Sequence, residues 1–312
     1  MKQVLIKHGK VTVDTVPAPI IEKGSILVEV AYSLISTGTE ISGVKGAEKS
    51  FVKKALEQPE KVEKVIDYFK KHGLRKTIEV VKGKLEGLAP LGYSCSGIVR
   101  YVGEGVAEFQ VGDRVACTGA GKANHAEVVL VPHNLVVKVP DGCDLKDAAS
   151  VAIGSIAMQG GRRADLKLGE IVAVIGLGLL GQLTVQLLKV SGCRVVGFDI
   201  DPRRVEIART LGADYSFVAS ETDYLNEVLH ITGGHGVDAT IITAASESDE
   251  IVQQAMEITR KKGRIVVVGT VGLGLKRSPF YEKEIDFLIS CSYGPGRYDP
   301  VYEEQGLDYP YA

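Results

Sequence analysis

Ile171-Val-Ala-Val-Ile175, followed at once by Gly176-Leu177-Gly178-Leu179-Leu180-Gly181 and then by Leu183, Val185, Leu187 and Leu188, is the stretch that decides the fold. A short apolar run bounded by glycine reads as a strand covered on both faces, and the leucines and valine after it fall at helical spacing. The pattern G-x-G-x-x-G therefore joins a strand directly to a helix. In that context Gly176 makes the tight turn, Gly178 lets the backbone approach a pyrophosphate, and Gly181 allows the helix to pack closely on the strand. The free N–H groups of the first helical turn, at Leu179 and Leu180, and the helix macrodipole both favour a bound anion.

The next apolar strand ends in Asp199, 23 residues past Gly176, where a carboxylate can accept hydrogen bonds from the adenosine ribose hydroxyls. Together these features specify a dinucleotide site. Asp199 repels the additional phosphate of NADP(H), whereas Arg203 and Arg204 stand close enough in sequence to attract one. The carboxylate occupies the decisive position, so NAD(H) is expected over NADP(H). Gly269 and Thr270, closing the later strand RIVVVG, are counted with Arg204 among the cofactor-binding residues.

Working outward, strand and helix alternate from Asp141 onward: IVAVIG, a helix to about Val190, CRVVGFD, a helix from Pro202 to Leu211, ATIIT, a helix, and RIVVVG, with Glu284 to Ser290 able to add one more strand. Nearly continuous apolar strands alternating with helices make a parallel, doubly wound α/β sheet of the Rossmann type. The first 36 residues instead alternate apolar and polar (Val4, Ile6; Val11, Val13; Ile26, Val28, Val30) between Pro17, Pro19 and Gly24, a pattern of short strands and turns. From Lys45 to Glu86 the apolar period becomes helical. Short strands resume at Gly97–Val102, Arg114–Cys117, Ala126–Val131 and Leu135–Val139. The expected organisation is a β-rich domain over 1–140 with a helical insertion at 45–86, a dinucleotide-binding domain over 141–296, and a short tail over 297–312.

Composition excludes several function classes. Across 312 residues, 37 Lys plus Arg oppose 39 Asp plus Glu, so no global positive field favours nucleic acid. No apolar run is long enough to span a bilayer, and the N-terminal stretch lacks the uncharged core of a signal peptide, so a cytoplasmic protein with no membrane contact is expected. The five cysteines are scattered without a C-x-x-C pair, which fits reduced, mostly buried thiols.

The order of parts resembles the medium-chain dehydrogenase/reductase superfamily, in which a GroES-like catalytic domain precedes a Rossmann domain. The matching landmarks are Thr37-Gly-Thr39-Glu40, Pro90-Leu-Gly-Tyr93-Ser94 before Ser96-Gly-Ile-Val99, Val111-Gly-Asp-Arg-Val115, and a helix from Ala148 to Ala164. Ser290-Cys-Ser-Tyr-Gly-Pro-Gly-Arg-Tyr-Asp299 is similar to the dehydrogenase-like half of bi-domain oxidoreductases. The resemblance implies an oxidoreductase moving hydride between a nicotinamide cofactor and an alcohol or carbonyl carbon, with sugars and nucleotide sugars among the substrates.

Against the zinc-binding members the departures are specific. Thr37 stands where they have cysteine, Gly92-Tyr93-Ser94 where they have Gly-His-Glu, and Ala152 at the third ligand position; the loop from Cys117 to His125 lacks the four cysteines of a structural zinc lobe. A catalytic zinc needs three Cys, His or carboxylate ligands, so no metal is expected. A hydrogen-bonding acid would replace it, drawn from Thr37, Thr39, Glu40 and Tyr93 with His125 near them, and Tyr93 is the first choice. The alternatives are a tyrosine packed beneath the nicotinamide, a threonine pair satisfying a turn, and a structural turn histidine.

The insertion carries 12 Lys or Arg against 7 Asp or Glu, which fits either a lid for a small anionic substrate or solvated helix faces. Only 15 residues follow Arg297, fewer than the family uses to complete its catalytic domain, so a non-catalytic nucleotide-binding subunit, either a shortened copy or one that relies on a partner, stands beside the enzyme; Ser36-Thr-Gly-Thr-Glu40 and Gly92-Tyr-Ser94 also resemble bacteriochlorophyllide dehydrogenase, a zinc-free enzyme. Relatives commonly form homo-oligomers through the Rossmann sheet edge, here the segment from Arg264 to Ile289.

Overall fold

The computed structural model describes residues 1–7, 10–36, 38, 40, 89–294, 296–303 and 307. The expectations for Thr37, Thr39 and the helical insertion at 45–86 lie outside the described residues. Two compact units divide the chain, Met1–Ala152 and Ile153–Ala312.

The first unit contains strands β1 (Lys2–Lys7), β2 (Lys10–Thr15), β3 (Ser25–Ser33), β4 (Ala89–Pro90), β5 (Ser94–Val102), β6 (Arg114–Thr118), β7 (Val128–Pro132) and β8 (Val136–Lys138), then a short helix α1 (Leu145–Ala148). They form a three-stranded antiparallel sheet in the order β2-β1-β4 and a five-stranded antiparallel sheet in the order β7-β3-β5-β6-β8. The alternation of the sequence is realised directly: Ile26 and Val28 from β3, Cys95 and Val99 from β5, Val115 and Cys117 from β6 and Val131 from β7 are fully buried in one cluster. Two register shifts between β3 and β5 bend this sheet. The single helix expected over Ala148–Ala164 is two: α1 ends at Ala148, and α2 (Val151–Arg163) begins after a turn in which the Ser150 hydroxyl donates to the Asp147 carbonyl at 2.7 Å. A serine at a helix end offers the backbone a competing bond, which interrupts the helical run.

The second unit is a six-stranded parallel sheet flanked by helices: β9 (Ile171–Ile175), α3 (Leu179–Val190), β10 (Arg194–Asp199), α4 (Pro202–Thr210), β11 (Tyr215–Val218), α5 (Tyr224–Ile231), β12 (Val237–Ile242), α6 (Glu250–Ile258), β13 (Thr259–Val267), α7 (Arg277–Lys283), β14 (Asp286–Ile289) and α8 (Pro300–Glu303). The strand order is β11-β10-β9-β12-β13-β14. Side chains of β9 alternate across the sheet, Val172 and Val174 packing with Leu188 of α3 and Val205 of α4, Ala173 and Ile175 with Val228 of α5 and Met256 of α6. Both faces are covered, which is why the strand carries no polar residue. β11 and α5 were not expected from the sequence. The strand is an edge of four residues, too short to display a period, and it directly precedes the turn into α5.

From β9 the sheet grows first through β10 to one side and later through β12 to the other. This reversal leaves a crevice outside the carboxyl ends of β9 and β12, the place where open parallel sheets bind ligands. Among the described residues no helix is long and apolar enough to cross a membrane.

The contact between α3 and β9 is tested by two alanines. A Cβ on Gly181 would lie 1.9 Å from the Gly176 carbonyl oxygen, whereas one on Gly178 would meet nothing within 4 Å. Gly181→Ala should lower stability by about 1–3 kcal/mol through overpacking, and Gly178→Ala should keep the parent's urea midpoint.

Candidate functional site

The Gly-rich turn stands at the reversal point. Gly176 has φ +98°, and its N–H donates to the Phe198 carbonyl at 2.8 Å. Gly178 caps α3 in extended conformation without a side chain, and the first intrahelical bond runs from the Gln182 N–H to its carbonyl at 2.8 Å. The N–H groups ahead of that bond, including those of Leu179 and Leu180, have no intrahelical partner. No acidic residue sits in the first turn to compete with an anion. The residues of this turn fit a pyrophosphate: an open N-terminus, positive helix dipole, and room where a side chain would otherwise stand.

Asp199, at the end of β10, is buried and built into the same turn. Its Oδ2 accepts the Leu177 N–H at 2.6 Å and its Oδ1 the Asp201 N–H at 2.9 Å. Each carboxylate oxygen retains acceptor capacity for a ribose hydroxyl. Arg204 brings Nη1 within 3.7 Å of Oδ2, while Arg203, 88 % exposed, leans on Asp201. Beneath the strand end Phe198 stacks on Tyr224 with ring centroids 4.2 Å apart, and burial together with the nearby Asp199 charge pushes the Tyr224 hydroxyl up to about 12.

Gly269 and Thr270 follow the carboxyl end of β13. Gly269 donates to the Ile242 carbonyl at 2.9 Å and Thr270 to the Ala244 carbonyl at 3.1 Å. Thr243 and Ala244, not singled out from the sequence, lie between them and the turn. Both donate backbone N–H groups to the Ile175 carbonyl, and the Thr243 hydroxyl donates to the Gly176 carbonyl. The available signal was a threonine closing the apolar strand ATIIT.

A second cluster is built within the first unit. The Glu40 N–H donates to the Ser36 carbonyl at 2.9 Å, and the Ser36 N–H returns a bond to Glu40 Oε1 at 2.9 Å, so one turn of chain fixes the carboxylate. His125 lies between β6 and β7, where its N–H donates to Leu91 and its carbonyl accepts from Val4, both at 2.8 Å. Its Nε2 meets Glu40 Oε2 at 2.9 Å and its Nδ1 meets Ser33 Oγ at 2.9 Å. The Glu40 and His125 side chains are 10 % and 8 % exposed; Ser33, at the end of β3, is exposed. The imidazole rests on Gly92, where a Cβ would lie 2.8 Å from Nδ1. A glycine beside Tyr93 is thus a steric requirement of the histidine.

The structure therefore brings Glu40 and His125 into contact and adds Ser33, which the sequence analysis did not single out. Tyr93 follows Gly92 and is half-buried, and among the described residues its hydroxyl has no hydrogen-bond partner. Asn124, buried beside His125, leaves its Oδ1 unpaired among the described residues. At the third position compared with zinc-binding proteins, Ala152 is fully buried and donates its N–H to Ser94 Oγ at 3.1 Å; that hydroxyl in turn donates to the Ala149 carbonyl at 2.6 Å.

Two family patterns match consecutive parts of the chain: the alcohol dehydrogenase GroES-like domain over residues 72–141, and the zinc-binding dehydrogenase domain over residues 180–304. The chain belongs to the medium-chain dehydrogenase/reductase superfamily. Within this superfamily it is 34% identical to D-guloside 3-dehydrogenase of Escherichia coli (strain K12) over 214 residues, 66% of this chain and 60% of that protein. It is 27% identical to sorbitol dehydrogenase of Bacillus subtilis (strain 168) over 207 residues, 57% of this chain and 58% of that protein. The chain thus spans about three fifths of the length of these curated relatives. Among solved structures, galactitol-1-phosphate dehydrogenase from Escherichia coli superimposes with a TM-score of 0.74 at 19% identity, covering 98% of this chain and 87% of that one. An alcohol dehydrogenase from Thermus sp. ATN1 superimposes with a TM-score of 0.73 at 22% identity and the same coverage. These superpositions establish the shared fold.

The Ser94 bridge allows a direct check on the turn that presents Ala152. Ser94→Ala removes a buried hydroxyl that both donates and accepts, and should destabilise the protein by about 1–3 kcal/mol in urea unfolding.

Proposed function

We propose that this chain is an NAD(H)-dependent oxidoreductase that moves hydride to or from the hydroxyl-bearing carbon of an alcohol or sugar, without a catalytic zinc. The observation that carries the cofactor reading is Asp199: a buried carboxylate, tied by Leu177 to the Gly-rich turn, with acceptor capacity left on both oxygens. A negative charge in that place favours ribose hydroxyls and opposes a phosphate on the same ribose. When bound, the dinucleotide supplies the hydride donor or acceptor.

The chain's own residues bind and handle protons. Gly178, Leu179 and Leu180 present N–H groups to the pyrophosphate, and Gly176, Gly181, Thr243, Ala244, Gly269 and Thr270 keep the crevice free of side chains or tie its walls together. Arg204 stands beside Asp199 and moderates its charge. In the first unit the Tyr93 hydroxyl, which has no hydrogen-bond partner among the described residues, is the donor to the substrate oxygen, and the Glu40–His125 pair is a candidate proton store. Thr37 and Thr39 belong to the same candidate set by sequence. Zinc independence rests on residue chemistry: Thr37, Tyr93 and Ala152 are not a zinc ligand set. The substrate class follows from the relatives, two of which are named for sorbitol and a guloside; a small polyhydroxy compound is the expected partner.

Equilibrium titration of the protein with NADH and with NADPH, followed by cofactor emission, tests the cofactor reading. NADH should bind the more tightly, and Asp199→Ala should lose roughly tenfold to a hundredfold in NADH affinity, the equivalent of one charged hydrogen bond of about 1.5–3 kcal/mol, while gaining on NADPH. Equal binding of both cofactors by the parent would remove the role given to Asp199, and binding of neither would remove the oxidoreductase reading. With a polyol substrate in hand, Tyr93→Phe should lower kcat by about a hundredfold or more with NADH affinity unchanged.

A further inference from the structure

We infer that Asp249 is a positioning residue for the dinucleotide: its carboxylate, turned away from the end of α6, pins residues 269–275 beyond β13 as the seat of the second ribose and the nicotinamide. This rests on the reading that the chain binds NAD(H).

The strand order sets the direction. Along the carboxyl edge of the sheet the ends of β10, β9, β12 and β13 follow one another. With the adenosine ribose on Asp199 after β10 and the pyrophosphate on the turn after β9, the remaining half of a dinucleotide runs over the ends of β12 and β13, two strand spacings or roughly 10 Å further on. The chain leaving β13 is what that half meets. Thr270 is tied to the chain leaving β12, donating to the Ala244 carbonyl at 3.1 Å and accepting from the Ser246 N–H at 2.8 Å. Past Thr270 that support ends. Over 271–275, among the described residues, the hydrogen bonds are both at Gly274: its N–H donates to Asp249 Oδ1 at 2.7 Å, and its carbonyl accepts from Gln253 Nε2 at 2.6 Å.

Both partners of that latch bear the marks of it. Asp249 stands at the N-cap of α6, where an aspartate ordinarily accepts an N–H of the first helical turn. Here it has helical φ −78° and ψ −13°, and its side chain makes no cap bond. The segment opposite is correspondingly bare. A Cβ on Gly272 would lie 2.3 Å from Asp249 Oδ1, and one on Gly274 would lie 2.2 Å from Oδ2, with all three of its nearest atoms belonging to the Asp249 side chain. Capping α6 would require neither the two glycines nor the diverted carboxylate. Asp249 touches the segment and no ligand, so its role is to position.

Calorimetric titration with NADH and with ADP, which carries the adenosine and both phosphates but neither the second ribose nor the nicotinamide, separates the two halves of the ligand. Asp249→Ala should weaken NADH binding about threefold to tenfold, the effect of one hydrogen bond, and should keep the parent's ADP affinity and urea midpoint. The sign is diagnostic, because removing a negative charge near an anionic ligand would by Coulomb's law strengthen binding. Glu250→Ala deletes a neighbouring carboxylate from the same helix end and should leave NADH affinity unchanged. Asp249→Asn, which keeps an acceptor oxygen, should recover most of the loss. Gly274→Ala should match Asp249→Ala, and the double variant should bind no worse than either, since the added methyl then occupies the space of the removed carboxylate. Unchanged NADH affinity in Asp249→Ala, an equal loss for NADH and ADP, or a matching loss in Glu250→Ala would overturn the latch while leaving the cofactor reading intact. A parent protein that binds neither ligand would overturn that reading, and the latch with it.

Discussion

Everything at the crevice beyond β9 and β12 depends on one close approach, that of helix α3 to the end of strand β9. With no side chain at Gly181, its Cα packs against the Gly176 carbonyl, and the helix N-terminus is thereby held at the carboxyl edge of the sheet. The consequences spread from that contact. Leu177 is turned inward, fully buried, and its N–H reaches Asp199. Gln182, one turn into α3, donates to both the Leu177 and Arg204 carbonyls, so the turn, α3 and α4 are linked by one side chain. A bulkier residue at 181 would separate all of these at once.

The placement of Asp199 illustrates how a buried charge is made tolerable. An isolated carboxylate in an apolar setting is costly, but two backbone donors and a nearby guanidinium offset that cost while preserving acceptor capacity for a ligand. The same logic operates in the first unit. Glu40 is held by a backbone N–H on one oxygen and an imidazole on the other, and the imidazole is held by Ser33, so every polar atom in the chain of bonds has a partner up to the surface. Satisfied buried networks of this sort rigidify their surroundings. The histidine backbone is itself tied to β1 through Val4 and to Leu91 beside β4, which fixes the ring relative to Gly92.

Much of this was legible in the chain of residues, for reasons that are local. A strand that must be covered on both faces can contain only apolar residues, so IVAVIG and RIVVVG announced themselves; a left-handed turn favours glycine at 176 and the close approach of the helix requires it at 181, so the G-x-G-x-x-G pattern did too. The carboxylate at the end of β10 followed from its distance along the chain. Edge elements were harder to read, because the four residues of β11 are shared between exposed and buried faces and carry no period of their own. Thr243 and Ala244 escaped notice since their role is backbone geometry, which residue type does not encode.

What the sequence determined by itself is the α/β architecture, the glycine-rich strand-to-helix turn and the acidic residue that closes it, all of them consequences of periodicity and short-range sterics. Only the tertiary structure decided that Glu40 and His125, 85 positions apart, share a hydrogen bond, that Ser33 completes their line to the surface, and that Gly92 must be bare to admit the ring. Those contacts arise where β1, β3, β4 and the turn before β7 meet. No local propensity ranks one distant carboxylate over another as the partner of a histidine; packing of the intervening strands makes that choice.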